Sequence, residues 1–172
     1  VNHYQSWFAP HDCQEGTMVL QKLRDYLDAQ QMKYVILTHS PAHTAQEIAA
    51  AAHISGKEMA KTVMMKVDGE MVMVVLPASM KVDLGRLLDA TGASEVELAQ
   101  EREFEHLFPG CDLGAMPPFG NLFGLRTFIA EELTEDEEIA FNAGSATELI
   151  KLAYEDYARL VRPRSLPFRI TV

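Results

Sequence analysis

The chain has 172 residues, 48% hydrophobic and 23% charged, the size and composition of one globular domain. Fifteen Lys and Arg against 25 Asp and Glu give a net charge of −10, which excludes a general nucleic-acid coat but leaves room for a small patch gripping one nucleic-acid end. No apolar run approaches the roughly 20 residues a bilayer span requires, and the longest, Met71 to Leu76, is of strand length.

Residues 1–16 show no clean period and read as an arm carrying Trp7 and Phe8. From Thr17 to Gln30 the apolar positions Val19, Leu20, Leu23, Tyr26 and Leu27 make one helical stripe. Lys33 to Thr38 is a short β-branched run and predicts a buried strand. Thr44 to Glu47 has capping-box spacing before an Ala-rich helix, and Ser55 to Glu58 repeats the signal, predicting a second short helix. Two strand-like runs, Lys61 to Val67 and Met71 to Leu76, meet at Asp68-Gly69, a hairpin turn pair. Asp83 caps a helix that Gly92 ends; Val96 to Ala99 is a strand, and Glu101 to Phe108 an acidic helix. Pro109 to Gly124 holds four glycines and three prolines and reads as a long ordered loop. Strands follow at Arg126 to Ile129 and Ile139 to Asn142; Thr147 to Ala153 fits strand or helix, and Tyr154 to Val161 is helical. Residues 163–172 form a tail with an edge-strand pattern at Phe168, Ile170 and Val172. Helices and strands mix without regular βα alternation, which favours α+β or a mixed barrel.

Several side-chain patterns bear on chemistry. His39 and His43 stand four apart, but Pro41 lies between them and no HExxH carboxylate is present, so loop histidines fit better than a metal pair. There is no GxSxG elbow, and Cys13 and Cys111 form no CxxC and have no basic neighbour, which argues against covalent catalysis. Reduced thiols, without a signal-peptide pattern, fit a cytoplasmic chain. Val1 rather than Met stands first, as in a processed chain or a piece of a longer one. Lys61 opens an otherwise apolar strand, where an ammonium can point into a low-dielectric cleft. On position alone, a strand-end lysine snorkelling to solvent is the commoner arrangement. Gly114 to Pro118 fits a rigid Ω-loop or a backbone cradle for a small ligand, and Asn142 to Thr147 fits a plain turn or a polar one beside such a ligand.

Five segments in order, THSPAHTAQEIAAAA (38–52), AKTVMMKVDGEMVMVVLPA (60–78), VDLGRLLDATGASEVELA (82–99), FPGCDLGAMPPFG (108–120) and FNAGSATELIKL (141–152), resemble the YbaK/ProX family of aminoacyl-tRNA editing domains. That family includes free-standing members and the insert of bacterial prolyl-tRNA synthetases. The resemblance implies an α+β fold with a mixed, mostly antiparallel, barrel-like sheet and surrounding helices. It places the editing domain at 17–162, between the arm and the tail. The implied activity is hydrolysis of the ester joining a wrong amino acid to the tRNA 3′ end, without cofactor or metal. Mischarged tRNA and an aminoacyl-tRNA synthetase are the implied partners, and DNA and membrane are not. By position, the catalytic lysine of the family matches Lys61, with Thr62 beside it. The substrate loop matches Gly114, Ala115, Met116, Pro117 and Pro118, and the late glycine turn Asn142, Ala143, Gly144 and Ser145. The helix start bordering the pocket matches Thr44 and Glu47.

Two departures stand out: Ala146 replaces a histidine found in many relatives, and Ala130 an aspartate. They motivate an alternative expectation, a small-molecule-binding or regulatory module of the same fold, within a longer signalling protein. For the enzyme reading, Lys57, Lys61 and Lys81 are the candidate cations for the tRNA end.

Overall fold

A computed structural model describes residues 18–40, 47, 49, 50 and 52–171. The expected arm and Thr44 lie outside that set, and Glu47, Ala49 and Ala50 have helical backbone. Helix α1 (Met18–Ala29) buries Val19, Leu20, Leu23 and Leu27, the stripe its period announces. Strand β1 (Tyr34–Thr38) follows.

Strands β2 (Met59–Val67) and β3 (Glu70–Pro77) make the expected hairpin. Its turn residues Asp68 (φ 51°) and Gly69 (φ 81°) are both left-handed, as a two-residue primed turn requires. From Val72 to Pro77 β3 is buried throughout, so its sequence is one apolar run instead of an alternation. After β4 (Met80–Val82) the Asp83 carboxylate accepts a 3.0 Å hydrogen bond from the Arg86 N–H and caps α2 (Leu84–Thr91). Then come β5 (Val96–Leu98) and α3 (Glu101–Phe104), continued by a 3₁₀ turn over Glu105–Leu107. Beyond the Pro/Gly-rich loop lie β6 (Arg126–Ala130), β7 (Glu138–Asn142), β8 (Glu148–Ala153), α4 (Tyr154–Val161), β9 (Arg164–Leu166) and β10 (Arg169–Thr171).

The main sheet runs β1-β8-β7-β2-β3-β6-β9, with β5 also on β2, and β10 pairs with β4 in a separate ribbon. Pairings β2–β7, β3–β6 and β6–β9 are parallel and the other five are antiparallel. The fold is thus α+β with a mixed, mostly antiparallel sheet whose path stays open between β1 and β9. One face carries the main core, where α1, α4 and the segment from Phe104 to Phe119 pack on Met73, Val75, Ile129, Phe141 and Ile150. The other face carries two smaller clusters. One, under α2 and the chain end, contains Met65, Val74, Leu76, Leu87, Phe128 and Phe168; the other contains Ala49, Met59, Ala78, Ala140 and Leu149.

The structure corrects two expectations. The strand expected to be buried at Lys33 to Thr38 forms as β1 but lies at the end of the sheet path, paired only with β8, with no residue buried and Val35 52% exposed. Ser55 to Glu58 is a single turn, in which the Glu58 and Met59 N–H groups both donate to the Ser55 carbonyl at 3.0 Å. The helix cannot propagate because Met59 is fully buried in β2, and tertiary burial outweighs a local cap. The open assignment at Thr147 to Ala153 resolves as a strand, since β8 has hydrogen-bonding partners on both sides. The tail is integral to the core, with Leu166 and Phe168 buried.

Candidate active site

Alternation along β2 puts Lys61 on one face with Met59, Val63 and Met65, and Thr62 on the opposite, main-core face with Ala60 and Met64. Lys61 faces Leu76 across the hairpin. Because Ala60 pairs with Phe141 and Val75 with Ile129, the next rung aligns Asn142, Lys61, Leu76 and Ala130 across four strands. Lys61 therefore sits between the two smaller clusters, a cation with the amide of Asn142 beside it on a largely apolar face. It is half-buried, and its Nζ donates to the Ala78 carbonyl at 3.2 Å. Among the described residues it makes no ion pair, and Ala130 presents no carboxylate. Burial, and secondarily the charge of Lys81, hold its pKa below the ordinary lysine value.

The two glycine-containing segments form one unit beside this rung. The Gly144 N–H donates to the Ala115 carbonyl at 2.9 Å, and the Asp112 N–H to the Gly144 carbonyl at 3.0 Å. The Asp112 carboxylate then accepts from the Ala146 N–H at 2.8 Å. Both chain reversals use left-handed backbone, Gly114 at φ 82° and Gly144 at φ 99°, which an L side chain would strain. Ala115, Met116, Pro117 and Pro118 are buried, and the Pro118 carbonyl is held at 2.9 Å by the hydroxyl of the fully buried Tyr157. Asn142 is buried on the Lys61 face, whereas Ala143 belongs to the main core. Ser145 is half-buried, its hydroxyl 3.3 Å from that of Thr147.

The fold thus joins Gly114–Pro118 to Asn142–Ser145 and sets Asn142 beside Lys61. Thr62 points away from Lys61. Glu47 is exposed on backbone that leads to Ala49 in the small cluster, and Thr44 lies outside the described residues. Of the candidate cations, Lys81 is close enough to depress Lys61. Lys57 instead lines a cavity of about 280 Å³ with Pro77, Met80, Glu132, Glu135 and Asp136, where three carboxylates offset its charge.

One residue has a different place from the one its sequence pattern suggests. His39, expected as a loop histidine, is only 9% exposed. Its backbone N–H donates to the Thr147 carbonyl at 2.9 Å, extending the β1–β8 ladder one step. Its Nδ1 lies 2.8 Å from the Ser40 carbonyl. Its spacing to His43 suggests metal, whereas the informative feature is its place just past the end of β1, buried although none of the five strand residues is. His43 is outside the described residues, and among those described no cluster of three or more His, Cys, Asp or Glu side chains suits a metal ion. Cys111 carries a thiol pushed up to about 12 by burial and by Asp112, so it is an inert group beside the loop.

Comparison with known proteins yields a consistent set. The aminoacyl-tRNA editing domain model matches residues 39–160. The multifunctional Ser/Thr-tRNA deacylase ProXp-y of Escherichia coli (strain K12) is 29% identical over 163 residues, covering 91% of this chain and 96% of that protein. A proline–tRNA ligase of Bacillus mycoides (strain KBAB4) is 26% identical over 124 residues, covering 63% of this chain but 22% of the ligase. Among solved structures, a candidate trans-editing enzyme for prolyl tRNA synthetase superposes with a TM-score of 0.76 at 19% identity, covering 90% of this chain and 99% of that one. A candidate signal transduction protein from Marinobacter aquaeolei VT8 shares the fold at TM-score 0.69 and 16% identity, over 87% of this chain and 30% of that one.

Proposed function

Because the chain belongs to the aminoacyl-tRNA editing domain family, we propose that it is an aminoacyl-tRNA deacylase acting in trans on mischarged tRNA. The observation that carries this reading is Lys61: a half-buried ammonium without a carboxylate partner among the described residues, one strand from the turn that anchors the Gly114–Pro118 loop. A structural lysine would be paired or would extend into solvent.

An aminoacyl ester is already activated, so hydrolysis needs a positioned water and a cation where the oxyanion develops, not a strong nucleophile. The water oxygen bonds to the ester carbonyl carbon, whose carbonyl oxygen becomes the oxyanion. The bond to the ribose 3′ oxygen then breaks, that oxygen takes up the proton lost by water, and free amino acid and a tRNA 3′ hydroxyl result. Lys61 stabilises the oxyanion; backbone donors from the two glycine segments can come only from N–H groups outside the clasp, since those of Ala115, Ala143, Gly144 and Ala146 already donate to protein acceptors. Met116 packs in the main core, on the sheet face opposite Lys61, and so supports the loop from behind, leaving Pro117 as the candidate limit on the size of the aminoacyl side chain. Residues 17–162 act as the editing unit, and Leu166 and Phe168 beyond it complete its core. The tRNA 3′ end is the nucleic-acid contact, and the likeness to an internal segment of proline–tRNA ligases supports a synthetase as partner.

Deacylation measured over a panel of mischarged tRNAs, with Lys61→Met alongside, tests the proposal. Turnover on at least one substrate is expected, falling about 10²- to 10³-fold in the variant, the effect of deleting one oxyanion donor. No turnover on any tRNA would remove the deacylase reading, and an unaffected variant would remove Lys61 from it.

A further inference from the structure

His39 Nε2 and Asn142 Oδ1 are buried side-chain atoms with no hydrogen-bond partner among the described residues. The residues are 9% and 5% exposed. Leu37 pairs with Leu149, and Leu149 with Asn142, so those three share the Lys61 face. His39 lies two residues past Leu37 on the continued ladder and returns to that same face. The His39 ring has a defined polarity: Ser40 offers a carbonyl, which only accepts, so Nδ1 is the donor and the neutral ring leaves a lone pair on Nε2. Bare buried acceptors disfavour folding, and sites where local rules are broken at a cost to the fold are commonly functional.

We propose that His39 Nε2 and Asn142 Oδ1 form an acceptor pair that takes a hydrogen-bond donor carried by the aminoacyl group of the substrate. The proposal rests on the deacylase reading for the location of that group. The ammonium of Lys61, one strand from Asn142, disfavours a second cation there. The donor is accordingly a side-chain hydroxyl in preference to the α-ammonium. A hydroxyl has one proton and engages one of the two acceptors at a time; an apolar side chain of equal size would leave that acceptor bare as well, which is how a small pocket rejects an isostere that size alone cannot exclude. The alanines of the neighbouring cluster, Ala49, Ala78 and Ala140, keep that part of the face shallow.

Binding of stable 3′-amide analogues, seryl- and alanyl-3′-amino-3′-deoxyadenosine, tests this independently of turnover. By calorimetry the wild type is expected to bind the seryl analogue about 10-fold tighter or more, the difference made by one buried acceptor left unpaired. In His39→Phe and Asn142→Leu that ratio falls toward unity while alanyl affinity holds, and His39→Gln, which restores an acceptor, recovers part of it. Thermal melts confirm that the variants fold, and His39→Gln serves should His39→Phe fail to. N-acetylated analogues separate the donors: an acetylation penalty present in wild type and absent in His39→Phe assigns the α-ammonium as donor and keeps the acceptor pair. Equal seryl and alanyl binding without an acetylation penalty, a ratio unmoved by all three variants, or binding of neither analogue overturns it. Selective binding without deacylation would sink the deacylase reading alone.

Discussion

Lys61 is where stability and function pull apart. Its pKa is lowered, first by burial and then by Lys81, so the folded protein disfavours its charged form. That penalty is full at pH values below the folded pKa and is relieved as pH rises from there to the unfolded value. Lys61→Met is therefore expected to melt at a higher temperature than wild type at neutral pH while losing activity, the pattern of a functional charge held at the fold's expense. A lower melting temperature would mean that the Ala78 contact outweighs desolvation. Catalysis has the corresponding sign. If the cation stabilises the oxyanion, enzymatic rate, corrected for spontaneous ester hydrolysis, falls as pH rises through a midpoint below the ordinary lysine value of 10.5. An arginine stays charged over that range, so the alkaline limb should flatten in Lys61→Arg. The nearby thiol behaves oppositely: with Cys111 raised to about 12, peptide mapping after iodoacetamide treatment at pH 8 should show it unmodified in the native state and labelled after denaturation.

At the scale of elements, the candidate site is a hydrogen-bonded clasp between two irregular segments, and Asp112 is its pin. Its carboxylate accepts from the Ala146 N–H while its own N–H donates to Gly144, so the side chain locks the turn onto the loop. Asp112→Ala removes one charge-assisted bond on an exposed residue, and about 1 kcal/mol of stability is the expected loss. The larger effect is expected in KM, because the loop would no longer be registered against Asn142; an unchanged KM would show that the remaining backbone bonds suffice. The sequence already marked these segments through their glycines and prolines, since chain reversal requires particular residue types. It marked the hairpin at Asp68-Gly69 and the cap at Asp83 for the same reason. What it could not show is which face each residue of β2 takes beside its neighbours. Thr62 follows Lys61 in the chain and leaves it in space, and His39, separated by about a hundred residues from Asn142, joins it on one face through the β1–β8–β7 register. Local capping signals fail where burial competes, as at Ser55 to Glu58, because the strand starting at Met59 contributes more than one further helical turn.

For the whole molecule, the net charge of −10 constrains how tRNA is held. The mean field repels a polyanion, so binding must depend on a few local cations. Two of the three candidates can supply that attraction, Lys61 without an ion-pair partner among the described residues, and Lys81, exposed and close to it. Lys57, facing Glu132, Glu135 and Asp136, contributes little net attraction. Each phosphate neutralised on a single strand adds about 0.7 to the slope of log affinity against log salt, so two contacts give a slope of about −1.4. Titrating fluorescent tRNA against the protein between 50 and 200 mM salt, roughly the range over which larger interfaces lose several orders of magnitude, should weaken binding only about 7-fold. Lys81→Ala should reduce the slope by about one contact's worth, and Lys57→Ala should leave it unchanged. A slope several times steeper would mean many more phosphate contacts than two, and would overturn the assignment of binding to Lys61 and Lys81.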